Sequence, residues 1–430
     1  MDSQTLEREL RTYRPAAVPE LPAPFVWPRY EGLSVGNVPA TIAHLLGADL
    51  PGMLPPLQSD LLGDLADGVR RVIMVILDGL GWEQLHWMLG RDPHLAFGDL
   101  AARGKLLPLT TVFPSTTCNV LATLRTGAPP VRHGLLAYEM YLREWQMGVE
   151  CISFSPTGAH GSGYLLDWGM EPERFLPVPS LAEQLAAQGI PTDEVIASHL
   201  KHGPLSRIYF RGVRRLYGHA YGSDFWSTLR EVLQLHRGER LLLTGYWGAV
   251  DTLSHMHGPL HDTGFNEVRS NAFLLKKTFL DALDPEDREG TLLLILADHG
   301  QIRVPEEKAI FLGDHPLLRD ALVLPPLGEA RSPFFYVRAG HLEAVQEYLA
   351  STFADRLMLL SQEGAIRSGL FGPGEPYAEV YHRLGDLVGI MKDDGVLVRD
   401  REIPKILRGR HGGLMPQEML VPLLAARLDA

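Results

Sequence analysis

Three short apolar runs recur along the chain, and they constrain its fold more than any other feature. They cover residues 72–77, 241–246 and 292–297, and helical stretches separate them. A continuous apolar run of this length is typical of a strand that is buried on both faces. Strands that alternate with helices predict an α/β protein, here a three-layer α/β/α sandwich around a mostly parallel central sheet.

The helices are predicted from apolar residues that recur at the i, i+3 and i+4 positions. The predicted helices cover residues 39–46, 82–89, 180–188, 224–235, 266–283 and 341–352. One more helix is predicted to open after Pro114 and to end at Gly127.

The domain organisation is predicted from changes in composition. Residues 1–70 are rich in proline, which removes a backbone donor and fixes extended backbone, so we expect an arm that packs on a larger body. Residues 71–430 are predicted to form that body. Within it, residues 142–240 hold shorter and mixed elements, and we expect them to form an inserted cap outside the main sheet.

Composition excludes several classes of protein. The 430 residues include 40 Lys and Arg against 52 Asp and Glu, a net charge of −12 that would repel a nucleic-acid polymer. Two cysteines, Cys118 and Cys151, are too few for a disulfide framework. Without a long apolar run or a secretory leader, the sequence predicts a cytoplasmic protein that has no membrane partner. No pattern indicates an oligomeric state.

Acidic and imidazole side chains follow the three apolar runs, and another imidazole lies in a glycine-flanked loop near the C-terminus. They are Asp78, Asp251, His255, Asp298, His299 and His411. Ligands gather at the carboxyl ends of strands in such sheets, and carboxylate oxygen with imidazole nitrogen suits Zn²⁺ or Mn²⁺. We therefore expect two divalent metal ions, with Zn²⁺ as the preferred ion and Mn²⁺ as the alternative. Taken alone, each Asp has another explanation as a helix cap or a turn residue.

A hydroxyl-rich segment lies where the strand that stops at Pro114 leads into the next helix. Thr116 and Thr117 stand at the start of that helix, where a hydroxyl usually caps the free backbone N–H groups. The same position attracts anions, and a hydroxyl that contacts a divalent metal can become a nucleophile. Capping and catalysis both remain open from the residues alone.

Taken together, these segments resemble the alkaline phosphatase superfamily, most closely its type I phosphodiesterase/nucleotide pyrophosphatase branch. The motifs are ILDG at 76–79, FPSTT at 113–117, TGAPPVRHG at 126–134, DTLSHMHGP at 251–259, ADHG at 297–300 and HGG at 411–413. The resemblance runs from about residue 70 to the C-terminus and preserves both order and spacing.

The resemblance implies two metal ions and a threonine nucleophile. It assigns one ion to Asp78, Asp298, His299 and the nucleophile, and the other ion to Asp251, His255 and His411. The family spacing places the nucleophile nine residues before Thr126, at Thr117, with Thr116 as the alternative. The implied activity is hydrolysis of small phosphate monoesters or diesters through a phospho-threonine intermediate.

The sequence also departs from the family pattern. Nucleotide phosphodiesterases of the branch carry an Asn that binds the substrate phosphate, and this chain has Tyr138 there, which argues against nucleotide diesters. The phosphate-binding Arg of monoester-specific members has no evident counterpart, and the residues after Cys118 lack the Pro and Arg of sulfatases. Phosphonate hydrolysis, phosphoryl transfer within one molecule and a catalytically inactive binding module remain alternatives.

Aromatic residues in the predicted cap either stack on a nucleobase or belong to the core. They are Tyr209, Tyr217, Tyr221, Phe225 and Trp226. Aromatic residues at such spacings are usually core residues, and the sequence does not decide between the two roles.

Overall fold

The strands fall into two seven-stranded sheets and two short pairs in the computed structural model, which describes residues 2–18 and 20–429. The strands are β1 (Arg71–Leu77), β2 (Lys105–Thr110), β3 (Glu139–Leu142), β4 (Met147–Glu150), β5 (Ser155–Pro156), β6 (Thr192–Ala197), β7 (Arg215–His219), β8 (Leu241–Trp247), β9 (Thr291–Leu296), β10 (Ile302–Arg303), β11 (Ala309–Phe311), β12 (Leu327–Gly328), β13 (Pro333–Phe335), β14 (Leu357–Ser361), β15 (Leu387–Met391), β16 (Val396–Val398), β17 (Gly409–Arg410) and β18 (Leu420–Arg427).

The helices lie between these strands along the whole chain. They are α1 (Ser3–Thr12), α2 (Val38–Leu45), α3 (Ser59–Leu62), α4 (Trp82–Arg91), α5 (Ala96–Arg103), α6 (Thr117–Thr126), α7 (Pro130–His133), α8 (Tyr164–Asp167), α9 (Leu181–Ala187), α10 (Pro204–Tyr209), α11 (Gly222–Leu235), α12 (Ala249–His257), α13 (Asp262–Leu274), α14 (Pro285–Arg288), α15 (Pro316–Ala321), α16 (Leu342–Thr352), α17 (Gln362–Arg367), α18 (Val380–Leu384), α19 (Ile403–Ile406) and α20 (Pro416–Met419). Among the described residues, no helix combines the length and the apolar character that crossing a bilayer requires.

The main sheet has the strand order β2-β18-β9-β1-β8-β6-β7. Strand β1 pairs in parallel with both β8 and β9, and β6 pairs in parallel with β8 and β7. Only β18 runs against its neighbours, between β9 and β2. Every residue of β1 and β9 is buried, as expected for strands covered on both faces. The predicted α/β/α fold with a mostly parallel sheet is confirmed.

Of the six helices predicted from apolar spacing, five are present with ends within two residues of the prediction, and the helix predicted after Pro114 is present as α6. The sixth, predicted over 266–283, begins earlier as α13 and changes to a π-helical turn over Leu275–Phe279. Apolar spacing alone does not register this change because a π turn widens the hydrogen-bond ring without removing the apolar face.

The prediction of a cap over 142–240 is wrong for its second half. Strands β6 and β7 extend the main sheet beyond β8. Strand β6 was not predicted because its first three residues are Thr192, Asp193 and Glu194, which leave only three apolar residues, although both acids are fully buried. Arg214 Nε donates to Asp193 Oδ1 at 3.0 Å, and Arg125 lies 2.7 Å from Glu194 Oε2. These guanidinium partners are what allow the acids to lie inside the sheet.

The second sheet was not predicted. Its order is β14-β15-β13-β12-β3-β4-β5, and all of its pairs are antiparallel. Its strands come from two distant parts of the chain, 139–156 and 327–391, so no local pattern links them.

The described residues among the first 70 pack against the body. Leu6 and Leu10 of α1, together with Phe25 and Val26, are fully buried in the same apolar core as β1. The segment also borders the main sheet, because the Thr110 backbone N–H donates to the Leu33 carbonyl at 3.0 Å.

Candidate active site

The predicted ligands meet at one edge of the main sheet because β9, β1 and β8 are neighbours in space. Asp78 follows β1, Asp298 follows β9, and β8 leads into α12, which carries Asp251. Parallel strands bring their carboxyl ends to the same edge, so residues more than 200 positions apart become adjacent.

The first ligand group consists of Asp78, Asp298 and His299, whose ligand atoms all lie within 4.8 Å of one another. His299 Nε2 lies 3.5 Å from Asp78 Oδ1 and 3.6 Å from Asp298 Oδ2. These two carboxylate oxygens are buried and have no hydrogen-bond partner among the described residues. Buried oxygens of this kind are costly unless something positive faces them, so the group fits a divalent cation.

Burial and electrostatics at Asp78 support the same conclusion. Burial, and then the charges of Asp298 and Asp251, raise the pKa of Asp78 well above its usual range. A cation between the carboxylates would reverse this effect because it favours the ionised form.

The second predicted ligand group consists of Asp251, His255 and His411, and the ligand atoms that lie within 4.8 Å of one another around Asp251 are those of Asp251, His299 and His411. Asp251 Oδ1 lies 3.4 Å from His255 Nε2 and 3.9 Å from His411 Nε2. The two groups adjoin, since the rings of His299 and His411 stack with centroids 3.9 Å apart. The structure therefore brings together all six predicted Asp and His ligands.

Each of the three imidazoles has its Nδ1 against a backbone carbonyl. The acceptors are Gly409 for His255 at 2.7 Å, Ser115 for His411 at 3.0 Å and Gly300 for His299 at 3.1 Å. A carbonyl only accepts, so Nδ1 carries the hydrogen and Nε2 keeps its lone pair for a metal. Burial also lowers the pKa of His255 and His411, which keeps both rings neutral near pH 7.

Thr117 is the first residue of α6, and its hydroxyl lies next to the first ligand group. Thr117 Oγ1 lies 3.1 Å from His299 Nε2. The N-cap residue of the helix is Thr116, whose side chain makes no capping hydrogen bond. The hydroxyl of Thr116 instead pairs with Glu329. The geometry thus favours Thr117 over Thr116 as the nucleophile and does not support the capping role for Thr117.

Tyr138 and Glu329 form a hydrogen-bonded pair beside Thr116. The Tyr138 backbone N–H donates to Glu329 Oε1 at 2.9 Å, and the Tyr138 hydroxyl donates to Glu150. Tyr138 therefore offers no free amide, and its hydroxyl already has a partner.

The pKa of Glu329 is raised from 4.5 to about 7, chiefly by burial, although hydrogen bonds from Thr116 and Tyr138 lower it. The folded chain then binds more protons than the unfolded chain between these pH values, so this group makes stability fall as pH rises from 4.5 to 7. We expect Glu329→Gln, which keeps an acceptor oxygen, to remove this fall. Thermal unfolding at pH 5 and pH 8 should show a smaller decrease in Tm for Glu329→Gln than for the native chain. Equal decreases in Tm for the variant and the native chain would show that Glu329 does not cause the loss of stability.

Among the described residues, two further side chains donate to carboxylates of the ligand groups, and neither was predicted from the sequence. The Tyr246 hydroxyl donates to Asp78, and the Gln301 amide donates to Asp251. Neither belongs to a residue type or spacing that indicates a metal site, although Tyr246 ends the second apolar run and Gln301 follows the ADHG motif.

The aromatic residues of the segment that was predicted to be a cap are mostly core residues. Tyr209, Phe225 and Trp226 are buried, whereas Tyr217 is half-buried and Tyr221 is 75% exposed. A base-stacking role is therefore not open to the first three.

The model of the type I phosphodiesterase/nucleotide pyrophosphatase family matches residues 72–414, which include all of the predicted site residues. The chain belongs to this family. Members of the family are metal-dependent hydrolases that act on phosphoester bonds. The prediction that this chain is a hydrolase of phosphoester bonds is therefore confirmed. No curated protein matches it in sequence.

Solved structures with the same fold include murine ectonucleotide pyrophosphatase/phosphodiesterase 5, which is 18% identical with a TM-score of 0.62 over 83% of this chain and 89% of that chain. An inactive variant of the murine protein in complex with AMP is 16% identical, with a TM-score of 0.63 over 84% and 90%. Phosphonoacetate hydrolase from Sinorhizobium meliloti is 19% identical, with a TM-score of 0.59 over 83% and 89%. At sequence identities of 16% to 19%, these structural similarities establish the fold of the chain and nothing more.

Proposed function

We propose that the chain is a two-metal phosphoesterase that hydrolyses small phosphate esters through a phospho-threonine intermediate on Thr117. The observation that carries the proposal is the position of the Thr117 hydroxyl, at the start of α6 and 3.1 Å from His299 Nε2. A hydroxyl that faces a buried Asp/His group is placed for nucleophilic attack rather than for helix capping.

The residues that would hold the metals are the two ligand groups, with Thr117 in the first. Two divalent ions would supply positive charge that eases ionisation of the threonine and of water. Zn²⁺ is the preferred ion and Mn²⁺ is the alternative. Their charge would exceed that of the three carboxylates, so the site would attract an anion although the chain carries a net charge of −12.

The nucleophile and the groups that stabilise the phosphoryl oxygens come from the chain itself. The Thr117 hydroxyl gives up its proton to solvent as its oxygen attacks phosphorus in line with the leaving oxygen. The phosphorus–oxygen bond to the leaving group breaks, and the leaving oxygen takes up a proton from solvent. Water then attacks the phospho-threonine, and breaking its phosphorus–oxygen bond restores the hydroxyl. The free N–H groups at the start of α6 stabilise the phosphoryl oxygens throughout.

The substrate is proposed to be a small phosphate ester other than a nucleotide diester. The murine neighbour was solved with AMP, but Tyr138 lacks the amide of the nucleotide phosphodiesterases and its hydroxyl is bound to Glu150. The cytoplasmic location and the absence of a membrane or nucleic-acid partner stay predictions.

A substrate panel tests the proposal. With Zn²⁺ or Mn²⁺ added to metal-free protein, we expect turnover of chromogenic aryl phosphate diesters at least equal to that of monoesters, because the sequence has no evident counterpart of the phosphate-binding Arg of monoester-specific members. Rates should be measured for both ester classes, for a dinucleotide and for a nucleoside triphosphate. A preference of two orders of magnitude for either nucleotide would contradict the role given to Tyr138.

Metal content is the second test. Protein purified without chelator is expected to contain about two equivalents of divalent metal, and chelation should lower the Tm because the ions bind only the folded chain. Elemental analysis and thermal unfolding measure both. Protein that takes up no metal on titration with Zn²⁺ would refute the two-metal site.

A further inference from the structure

One carboxylate in each ligand group has an oxygen held by a neutral side chain from a neighbouring element. In the first group the Tyr246 hydroxyl donates to Asp78 Oδ2. In the second group Gln301 Nε2 donates to Asp251 Oδ1 at 2.5 Å and to the Asp251 backbone carbonyl at 3.1 Å. Both donors are uncharged, so they orient a carboxylate without competing with a cation for its charge.

Tyr246 is placed for this contact by the sheet itself. It lies in β8 beside Ile76 of β1, two residues before Asp78. Gly248 leaves room for the ring, since a Cβ there would lie 3.3 Å from the Tyr246 hydroxyl oxygen. With Oδ2 held by Tyr246, the unpartnered Oδ1 of Asp78 is the oxygen that faces His299.

Gln301 connects the two ligand groups. It lies three residues after Asp298 of the first group, is 3% exposed and contacts Asp251 of the second group. Both acceptors of its amide nitrogen are oxygens that only accept, which fixes the orientation of the amide. Gly409 is required beside it, since a Cβ there would lie 2.2 Å from the Ser254 backbone carbonyl oxygen and 2.4 Å from Gln301 Oε1.

We infer that Tyr246 and Gln301 are positioning residues, Tyr246 for Asp78 in the first metal site and Gln301 for Asp251 in the second. The inference rests on the proposed two-metal function. Hydrogen-bond partners of metal ligands fix the ligand rotamer, and their loss typically lowers metal affinity by about 10-fold to 100-fold. Because each donor contacts a different group, each loss should affect a different site.

The experiment is a Zn²⁺ titration of the metal-free full chain carrying Tyr246→Phe or Gln301→Leu. Each variant is expected to bind one Zn²⁺ with native affinity and the other about 10-fold to 100-fold more weakly. Tyr336→Phe is the matched control, since its buried hydroxyl donates to the Arg383 carbonyl at 2.6 Å, away from both groups. It should leave both affinities unchanged.

Asp251→Asn identifies which site is affected. In that background, which is expected to retain only the first site, Tyr246→Phe should weaken the remaining Zn²⁺ and Gln301→Leu should not. The inference would be overturned if both variants bound Zn²⁺ with native affinity. It would also be overturned if both sites were weakened equally and the Tm of the metal-free protein fell as well. A native chain that binds no Zn²⁺ would instead refute the two-metal function, so the two failures are distinguishable.

Discussion

Thr117→Ala is expected to lower turnover by about three orders of magnitude or more while metal content and fold persist. The substitution removes the hydroxyl that lies against His299 but leaves Asp78 and Asp298 in place. Turnover of an aryl phosphate ester, metal analysis and thermal unfolding measure the three quantities separately.

The controls for this variant are Thr117→Ser, which keeps a hydroxyl and should retain much of the rate, and Thr116→Ala. Thr116→Ala removes a hydroxyl that pairs with Glu329, so its effect on turnover should be much smaller. If Thr117→Ala kept native turnover while Thr116→Ala abolished it, the nucleophile would be Thr116. If neither mattered, the phospho-threonine mechanism would fail.

Asp251→Asn is expected to remove the second metal as well as activity. The change keeps the size of the side chain but removes the negative charge that lies 3.4 Å from His255 Nε2 and 3.9 Å from His411 Nε2. Metal content should fall from about two equivalents to about one, because the first group keeps all of its ligands. Turnover should fall with it, since a two-metal site acts on the attacking and the leaving oxygen together.

The matched control is Asp262→Asn, close by at the start of α13, where Asp262 is exposed and pairs with Arg91 at 2.6 Å. An exposed ion pair contributes little, so this variant should keep both metals and full turnover. Two equivalents of metal in Asp251→Asn would show that Asp251 is not required as a ligand.

The sequence by itself determined the central strands of the main sheet and the candidate ligands near their carboxyl ends. Strands β1, β8 and β9 are continuous apolar runs because both of their faces are covered, so each could be identified locally. Asp78, Asp251 and Asp298 follow directly from those runs or from the segment after them.

Only the tertiary structure decided what surrounds those ligands. Strand β6 was hidden because Asp193 and Glu194 are buried through pairing with guanidinium groups from elsewhere in the chain. The second sheet joins two segments, 139–156 and 327–391, that lie far apart in the sequence. The contacts of Tyr246 and Gln301 depend on neighbouring strands and loops in space, and a hydrogen bond between distant residues leaves no periodicity in the sequence.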